Sequence, residues 1–320
     1  MRQRIDVNVK WRLNLAHRTL SASPPTCVMT TPPATGYRSV FHPGLFAGHT
    51  VWVTGGGSGI GRCVAHELAA LGALVVISGR SINKLVRVAG EIEQDGGRCI
   101  TRAFDIRDEE AVKSNVASVV AECGPVHGLV NNAGGQFPAP MQTISKKGFD
   151  AVVANNLTGG FLMMRELFNQ SMQQHGGAVV NMTADFRNGM PGMAHSGAAR
   201  SGMSNLTMTA AYEWASAGVR VNAVAPGWVA SSGMDTYGGA MRALIPKLKA
   251  HVPMARLATE AEISAVIVFL LSPGAAFVTG ITVQIDGGSS LGSAVFPLVD
   301  HKKSVPFDGF HRAEVPEVLK

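Results

Sequence analysis

A chain of 320 residues, 46% hydrophobic and 16% charged, is long and apolar enough for one large α/β domain, and its composition argues against extensive disorder. The net charge is +6, yet only 6% of residues are aromatic and no block of five Lys/Arg occurs, which argues against nucleic-acid binding and leaves solubility or attraction for a phosphate-rich small ligand. No apolar run is long enough for a membrane-spanning helix. The spacing of Cys27, Cys63, Cys99 and Cys123 fits neither a zinc site nor a redox pair, so no metal is expected and the thiols read as those of a cytoplasmic protein.

Residues 1–45 differ from the rest. They carry Arg2, Arg4, Lys10, Arg12, Arg18 and Arg38 against a single acid, Asp6, and the stretch Ser21–Pro33 is rich in Ser, Thr and Pro. This reads as a disordered tail or an over-long start with Met29 as the initiator, ahead of the competing reading of a transit peptide. From residue 49, strand and helix patterns alternate. Val51–Thr54 is a strand running into glycines, and Gly59–Leu71 a helix. Leu74–Ser78 is a continuous apolar run, as in a strand buried on both faces. Ser81–Gln94 is a helix with Ser81 as candidate N-cap. A strand over Cys99–Phe104, a helix over Asp108–Glu122 and a strand over Gly128–Asn131 come next. They are followed by a long helix over Phe149–Gln174, a strand over Ala178–Met182 and a helix over Ala194–Ala217. Val219–Val224, Glu260–Leu271 and Ile281–Ile285 close the series as strand, helix and strand. The pattern predicts a Rossmann-type, doubly wound parallel seven-stranded sheet with helices on both faces. No linker divides residues 46–290, so this is one domain, and 291–320 is a tail expected to pack on it.

The strongest local signal is Thr54-Gly55-Gly56-Gly57-Ser58-Gly59-Ile60-Gly61, which leaves a strand and enters a helix. Glycines there let the backbone approach a pyrophosphate, and the helix N-terminus presents free N–H groups and the positive end of its dipole. A plain glycine turn is the alternative, and the strand–turn–helix context argues against it. The glycine spacing resembles that of the short-chain dehydrogenase/reductase family. Further landmarks of the resemblance are Asp105, Asn131-Asn132-Ala133-Gly134, Asn156-Leu157-Thr158-Gly159, Arg220-Val221-Asn222, Pro226-Gly227, Thr279-Gly280 and Asp286-Gly287-Gly288. It implies a nicotinamide cofactor held by the turn residues Thr54, Gly55, Gly57, Ser58, Gly59, Ile60 and Gly61. Asp105, Ile106, Asn132, Ala133, Gly134, Arg200, Pro226, Gly227, Val229 and Ser231 would complete that site.

An NAD-binding domain of this kind carries an acid about 20 residues beyond the turn, on the ribose 2′-hydroxyl. Here no Asp or Glu occurs between Glu67 and Glu91; Arg80 ends the second strand, with Lys84 and Arg87 in the next helix. A guanidinium binds a 2′-phosphate in forked geometry, so NADP(H) is expected.

The common family mechanism uses Asn, Ser, Tyr and Lys, with Tyr as acid/base. Asn156 matches the Asn. Aligning the small residues of Ala194–Gly202 puts Ser196 at the Tyr position and Arg200 at the Lys position, while the Ser position falls on Thr183 or Ala184. None of the three tyrosines, Tyr37, Tyr212 and Tyr237, fits the empty slot. A serine is too weak an acid to replace a phenol alone, and an arginine keeps its proton. Such a site suits a C=C conjugated to a thioester: hydride adds to the β-carbon, and the carbonyl oxygen that gains charge needs hydrogen-bond donors more than an immediate acid. The departure resembles the peroxisomal trans-2-enoyl-CoA reductases and the 2,4-dienoyl-CoA reductases, as do His195–Arg200, Asn131–Phe137 and Asn205-Leu206-Thr207. In the enoyl reductases an acting Tyr lies one helical turn beyond the Arg, where this chain has Ser204; Ser196, Arg200 and Ser204 are spaced by four and expected on one stripe. Asp185 and His195 are weaker candidates for proton delivery, and Tyr237 is expected to be a lid or wall residue. The ending Val318-Leu319-Lys320 differs from a Ser-Lys-Leu peroxisomal address.

The expected function is NADP(H)-dependent reduction of an enoyl-CoA in fatty acid metabolism. An alcohol or aldehyde dehydrogenase for an apolar substrate, and a catalytically silent cofactor-binding subunit, are the alternatives. The resemblance also implies a homotetramer or homodimer, paired through the two long helices and the last strand.

Overall fold

Short β-branched runs become strands, and all of them pair in parallel. β1 (Thr50–Thr54), β2 (Leu74–Gly79), β3 (Arg98–Ala103), β4 (Gly128–Asn131), β5 (Gly177–Met182), β6 (Val219–Pro226) and β7 (Thr282–Ile285) form one sheet in the order β3-β2-β1-β4-β5-β6-β7. The structure, a computed structural model, describes residues 36–291, 298 and 301–320. The expected tail or targeting character of residues 1–35 lies outside the described residues.

Alternation along the strands feeds two cores. Val51 and Val53 of β1 pack with Leu68 of α1 (Gly59–Ala70), Leu85 of α2 (Ile82–Gln94) and Ile263 of α9 (Glu260–Leu271). Trp52, between them, packs on the opposite face with Val116 of α3 (Glu109–Cys123), Met163 of α5 (Gly159–Leu167) and Ala210 of α7 (Ala194–Glu213). The right-handed crossovers of a parallel sheet put helices on both faces in this way. Along β1, β2, β4 and β5, nearly every residue is consequently buried.

The expected elements stand within a few residues of their predicted bounds, with local differences. The long helix starts at Lys146, because the Ser145 hydroxyl accepts from the Gly148 N–H and caps it. It is α4 (Lys146–Val153), α5 and α6 (Gln173–His175) in succession, joined by π-turns over Ala154–Thr158 and Phe168–Met172. Ser81 does precede α2, but its hydroxyl makes no capping bond; Asp108 caps α3 by accepting from the Ala111 N–H. Between β6 and α9 the chain adds α8 (Gly239–Leu244) and two 3₁₀ turns, over Ser232–Thr236 and Ile245–His251, which composition did not foretell.

The boundary drawn at residue 45 is too late. Tyr37 and Ser39 donate to the carboxylate of the buried Glu67, at 3.1 and 2.7 Å, and Ser264 of α9 donates to the same carboxylate. Phe41 and Leu45 pack on the core beside them. A charge count does not see hydroxyls that satisfy a buried acid. The tail crosses the same end of the domain. Phe310 is buried against Tyr37 and Cys63, and Arg312 pairs with Asp95. The N–H groups of Glu317 and Val318 donate to Asp235.

Gly61 marks the tightest approach between the first turn and β4. A Cβ there would overlap Asn132 Nδ2 and stand 2.5 Å from the Gly55 carbonyl oxygen. Gly61→Ala is therefore expected to cost about 1–3 kcal/mol of stability through overpacking. Urea unfolding should show this as a lower midpoint at unchanged slope; an unchanged midpoint would contradict it.

Candidate active site

The loops that follow β1, β2, β3, β4, β5 and β6 all open at the carboxyl edge of the sheet, and the strand order reverses between β1 and β4. Ligands of open α/β sheets bind at this kind of switch point. Gly55 (φ +67°) and Gly59 (φ +58°) take left-handed backbone in the first turn. The Thr54 hydroxyl accepts from the N–H groups of Asn132 and Ala133 at 3.1 and 3.0 Å, and Asn132 Nδ2 donates to the Thr54 carbonyl at 3.0 Å. Thr54 and Asn132 thus staple the turn to β4 and position the glycines.

A first cleft of about 230 Å³ lies over this turn. Gly55, Gly57, Ser58, Arg80, Ser81, Lys84, Asp105, Ile106, Ala133 and Gly134 line it. Arg80 is exposed at the end of β2, beside the N-terminus of α2. Arg87 is directed elsewhere and pairs with Glu91 and Glu314. Asp105 is gripped by Arg107, whose guanidinium holds the carboxyl below its usual range.

A second cleft of about 430 Å³ adjoins it at Gly134. Its walls include Ile60, Asn132, Gly135, Gln136, Met182, Thr183, Arg200, Pro226, Gly227, Val229, Ser231 and Tyr237. Arg200 reaches this floor from α7 while only 8% exposed. Its Nη1 donates to the Met182 carbonyl at the end of β5, and among the described residues its Nε has no partner and no carboxylate pairs with it. Burial lowers its pKa to about 10, so it remains a cation at neutral pH. Asn156 projects from the π-turn that interrupts the long helix. Its Oδ1 accepts from the Gly135 N–H at 2.9 Å, and its buried Nδ2 has no partner among the described residues. A Cβ on Gly134 would lie 2.6 Å from Arg200 Nη2 and 3.0 Å from Asn156 Oδ1, so the two side chains meet over that glycine. The cation and the amide form one polar patch at Gly134.

Three sequence assignments change. Ser196 is fully buried and donates its hydroxyl to Gln136 Oε1, which stands between it and the cleft. Ser204 faces β7, where its hydroxyl accepts from Thr282 at 3.2 Å. Spacing by four advances about 40° per step on a helix of 3.6 residues per turn, so the stripe leaves the site by its third member. Thr183 does line the cleft, but its hydroxyl and its N–H both donate to the Val224 carbonyl at 2.8 Å. Among the weaker candidates, His195 is fully buried with its ring against Phe137, and Nδ1 accepts from the Ser196 N–H. Asp185 does not line the cleft, and its carboxyl is raised by burial and by Asp286. Gln136 escaped notice although it stands in the Asn131–Phe137 string. Its role depends on a contact 101 residues away, where its Nε2 donates to the Tyr237 hydroxyl at 3.0 Å.

Residues 55–290 match the family model described as enoyl-(acyl carrier protein) reductase. This chain is a short-chain dehydrogenase/reductase. It is 33% identical over 273 residues to the peroxisomal 2,4-dienoyl-CoA reductase [(3E)-enoyl-CoA-producing] of Pongo abelii, covering 84% of this chain and 93% of that protein. It is likewise 33% identical over 244 residues to a probable 2,4-dienoyl-CoA reductase [(2E)-enoyl-CoA-producing] of Bacillus subtilis, covering 75% and 96%. Among solved structures it is similar to a citronellol catabolism dehydrogenase of Pseudomonas aeruginosa PAO1, with 60% identity and a TM-score of 0.73 over 80% of this chain and all of that one. The short-chain dehydrogenase/reductase is thus an oxidoreductase of a family that uses a nicotinamide dinucleotide. Its glycine turn and the adjoining clefts fit that group: the first cleft lies directly on Gly55, Gly57 and Ser58 and meets the second at Gly134.

Glu260 lies beside this turn and was not singled out from the sequence. It opens α9, is 8% exposed, and has its Oε1 3.9 Å from where a Cβ on Gly59 would stand, with Ser231 and Ser232 on the same side. Burial raises its carboxyl to about 7; Arg62 opposes the shift and Glu314 adds to it. Because the folded value lies above the unfolded one, the stability it contributes is complete below the ordinary carboxyl range and lost as pH rises through about 7. Cofactor affinity should follow the same sense, since an ionised carboxylate repels a pyrophosphate on the turn. The ratio of cofactor dissociation constants, unmodified enzyme to Glu260→Gln, should rise as pH passes through that value. Titration calorimetry giving a ratio independent of pH would contradict this.

Proposed function

We propose that this short-chain dehydrogenase/reductase uses NADP(H) to reduce a C=C bond conjugated to a thioester, on an apolar acyl-CoA. The carrying observation is the buried guanidinium of Arg200, which pairs with no carboxylate among the described residues and meets the Asn156 side chain over Gly134. The bound nicotinamide supplies or accepts hydride. The chain's own donors then meet the negative charge that appears on the thioester oxygen. Preorganised donors in a site shielded from water stabilise such charge far more than they would in bulk solvent. Arg200 does this without giving up a proton. The dienoyl-CoA reductase relatives support this reading.

A second reading, oxidation of an apolar alcohol, draws on the 60% identity to the citronellol catabolism dehydrogenase. Purified protein with NADPH and a panel of enoyl- and dienoyl-CoAs, and with NADP⁺ and a panel of apolar alcohols, separates the two by nicotinamide absorbance. Oxidation of NADPH by enoyl-CoAs is expected. Turnover with alcohols alone would favour the second reading. Binding of NADPH without turnover of any compound would mark a silent subunit.

The choice of NADP(H) rests on Arg80, Ser81 and Lys84 in the first cleft. Arg80 is exposed, so its contact with a 2′-phosphate should be worth about 1.5 kcal/mol, the low end for charge-assisted bonds. Arg80→Asp should reverse the preference between NADPH and NADH. Equal dissociation constants for the two cofactors in the unmodified protein would overturn the assignment.

Self-association is supported by what the long helices leave uncovered. Leu162, Met163, Met164 and Leu167 turn into the core, while Phe161 and Met208 remain exposed beside a groove lined by Leu157, Gly202 and Leu206. Phe277 and Ile281, next to the last strand, are exposed as well. Apolar surface of this kind favours burial in an interface. Light scattering at micromolar concentration should show a dimer or tetramer, and a monomer would contradict it.

A further inference from the structure

From the polarity of one hydrogen-bond chain we infer that Tyr237, on the loop between β6 and α8, is the residue that hands a proton to the substrate, and that Gln136 aims it. This rests on the enoyl-thioester reading above. It concerns the group that the family places on the helix and that this chain lacks there.

The candidates on β5 and α7 are committed elsewhere. The Ser196 hydroxyl gives its hydrogen to Gln136 Oε1. The Thr183 hydroxyl gives its hydrogen to the Val224 carbonyl. Arg200 keeps its proton at neutral pH. His195 lies behind Phe137 and does not line the cleft. Tyr237 differs from all of these. Its oxygen accepts from Gln136 Nε2 at 3.0 Å, and its own O–H hydrogen has no acceptor among the described residues. Gln136 cannot turn freely, since its other end accepts from Ser196. Each amide has one accepting and one donating end, so Ser196 sets the direction in which Tyr237 points its proton. The phenol and the amide both line the cleft that contains Arg200 and Thr183. The ring is held as well: it packs in a cluster with Trp228, Met234, Ile245 and, from the C-terminal tail, Val318 and Leu319.

The step balances without a further reagent. Hydride adds to the β-carbon, the π pair moves to the α-carbon and carbonyl, and an enolate forms against Arg200 and Asn156. The Tyr237 O–H bond then breaks and a C–H bond forms at the α-carbon. The substrate gains one hydride and one proton, the nicotinamide is oxidised, and the phenolate takes a proton back from water at the open mouth of the cleft. Tyr237 is then a catalytic residue, and Gln136 a positioning residue.

The test reduces an enoyl-CoA with NADPH in D₂O and reads which face of the α-carbon carries deuterium. Unmodified enzyme should label a single face. Tyr237→Phe should bind NADPH within about twofold of the unmodified protein, which shows that it is folded. It should lower kcat at least about tenfold with little change in KM and label both faces, because water then protonates the enolate. Gln136→Leu should relax the facial preference in part. If Tyr237→Phe keeps its rate and its single-face labelling, the assignment of Tyr237 falls while the enoyl reading stands. If the unmodified protein reduces no enoyl thioester, that reading falls and this assignment with it.

Discussion

A buried cation without an anion among the described residues is the constraint around which this site is arranged. Removing an ammonium or guanidinium from water without a counter-charge is costly, and proteins tolerate it where other dipoles compensate. Arg200 finds one such dipole in the Met182 carbonyl at the end of β5. The approach demands a glycine at position 134, where any side chain would collide with the guanidinium. Asn156 completes the patch from a π-turn, where the extra residue in the helical turn aims a side chain that a regular helix would carry past. The three features come from β4, the long helix and α7, and each is explicable only with the others in place.

The sheet supplies the platform. Parallel strands deliver their turns to one edge, so residues distant in sequence share two clefts that meet at Gly134. The turn after β1 lines the first cleft, and the turns after β4, β5 and β6 surround the second. Behind the platform, Glu67 joins α1, α9 and the segment around Tyr37 by accepting from three hydroxyls. The C-terminal tail reaches from that region to Asp235 and to the cluster that holds Tyr237. A segment that composition marks only as a tail therefore helps to fix the wall of the second cleft at Tyr237.

Most of the fold was legible because its signals are local. The run Leu74–Ser78 could only be a strand buried on both faces, and the glycines after Thr54 could only serve a strand-to-helix turn. Asn156 and Arg200 were legible through the order of family motifs. What the sequence hid depends on direction or on distant contact. Ser204 sits four residues from Arg200, yet helical drift turns it toward Thr282. Ser196 occupies the expected slot, yet Gln136 lies in front of it. Glu260 looks like an ordinary first-turn acid, and only the packing of α9 against α1 shows that it borders the phosphate turn. The segment from Tyr37 to Leu45 was assigned to a tail by its neighbours' charge, while its hydroxyl and apolar groups determine its place.

If Arg200 stabilises developing negative charge by its own fixed charge, steady-state kinetics of enoyl-CoA reduction on Arg200→Ala and Arg200→Lys will show it. Arg200→Ala should lower kcat/KM at least about tenfold, or roughly 1.4 kcal/mol of transition-state stabilisation. Arg200→Lys should recover part of that loss, because the charge survives and the fork does not. An Arg200→Ala protein that turns over as well as the unmodified one would contradict the claim and place the chemistry elsewhere in the cleft.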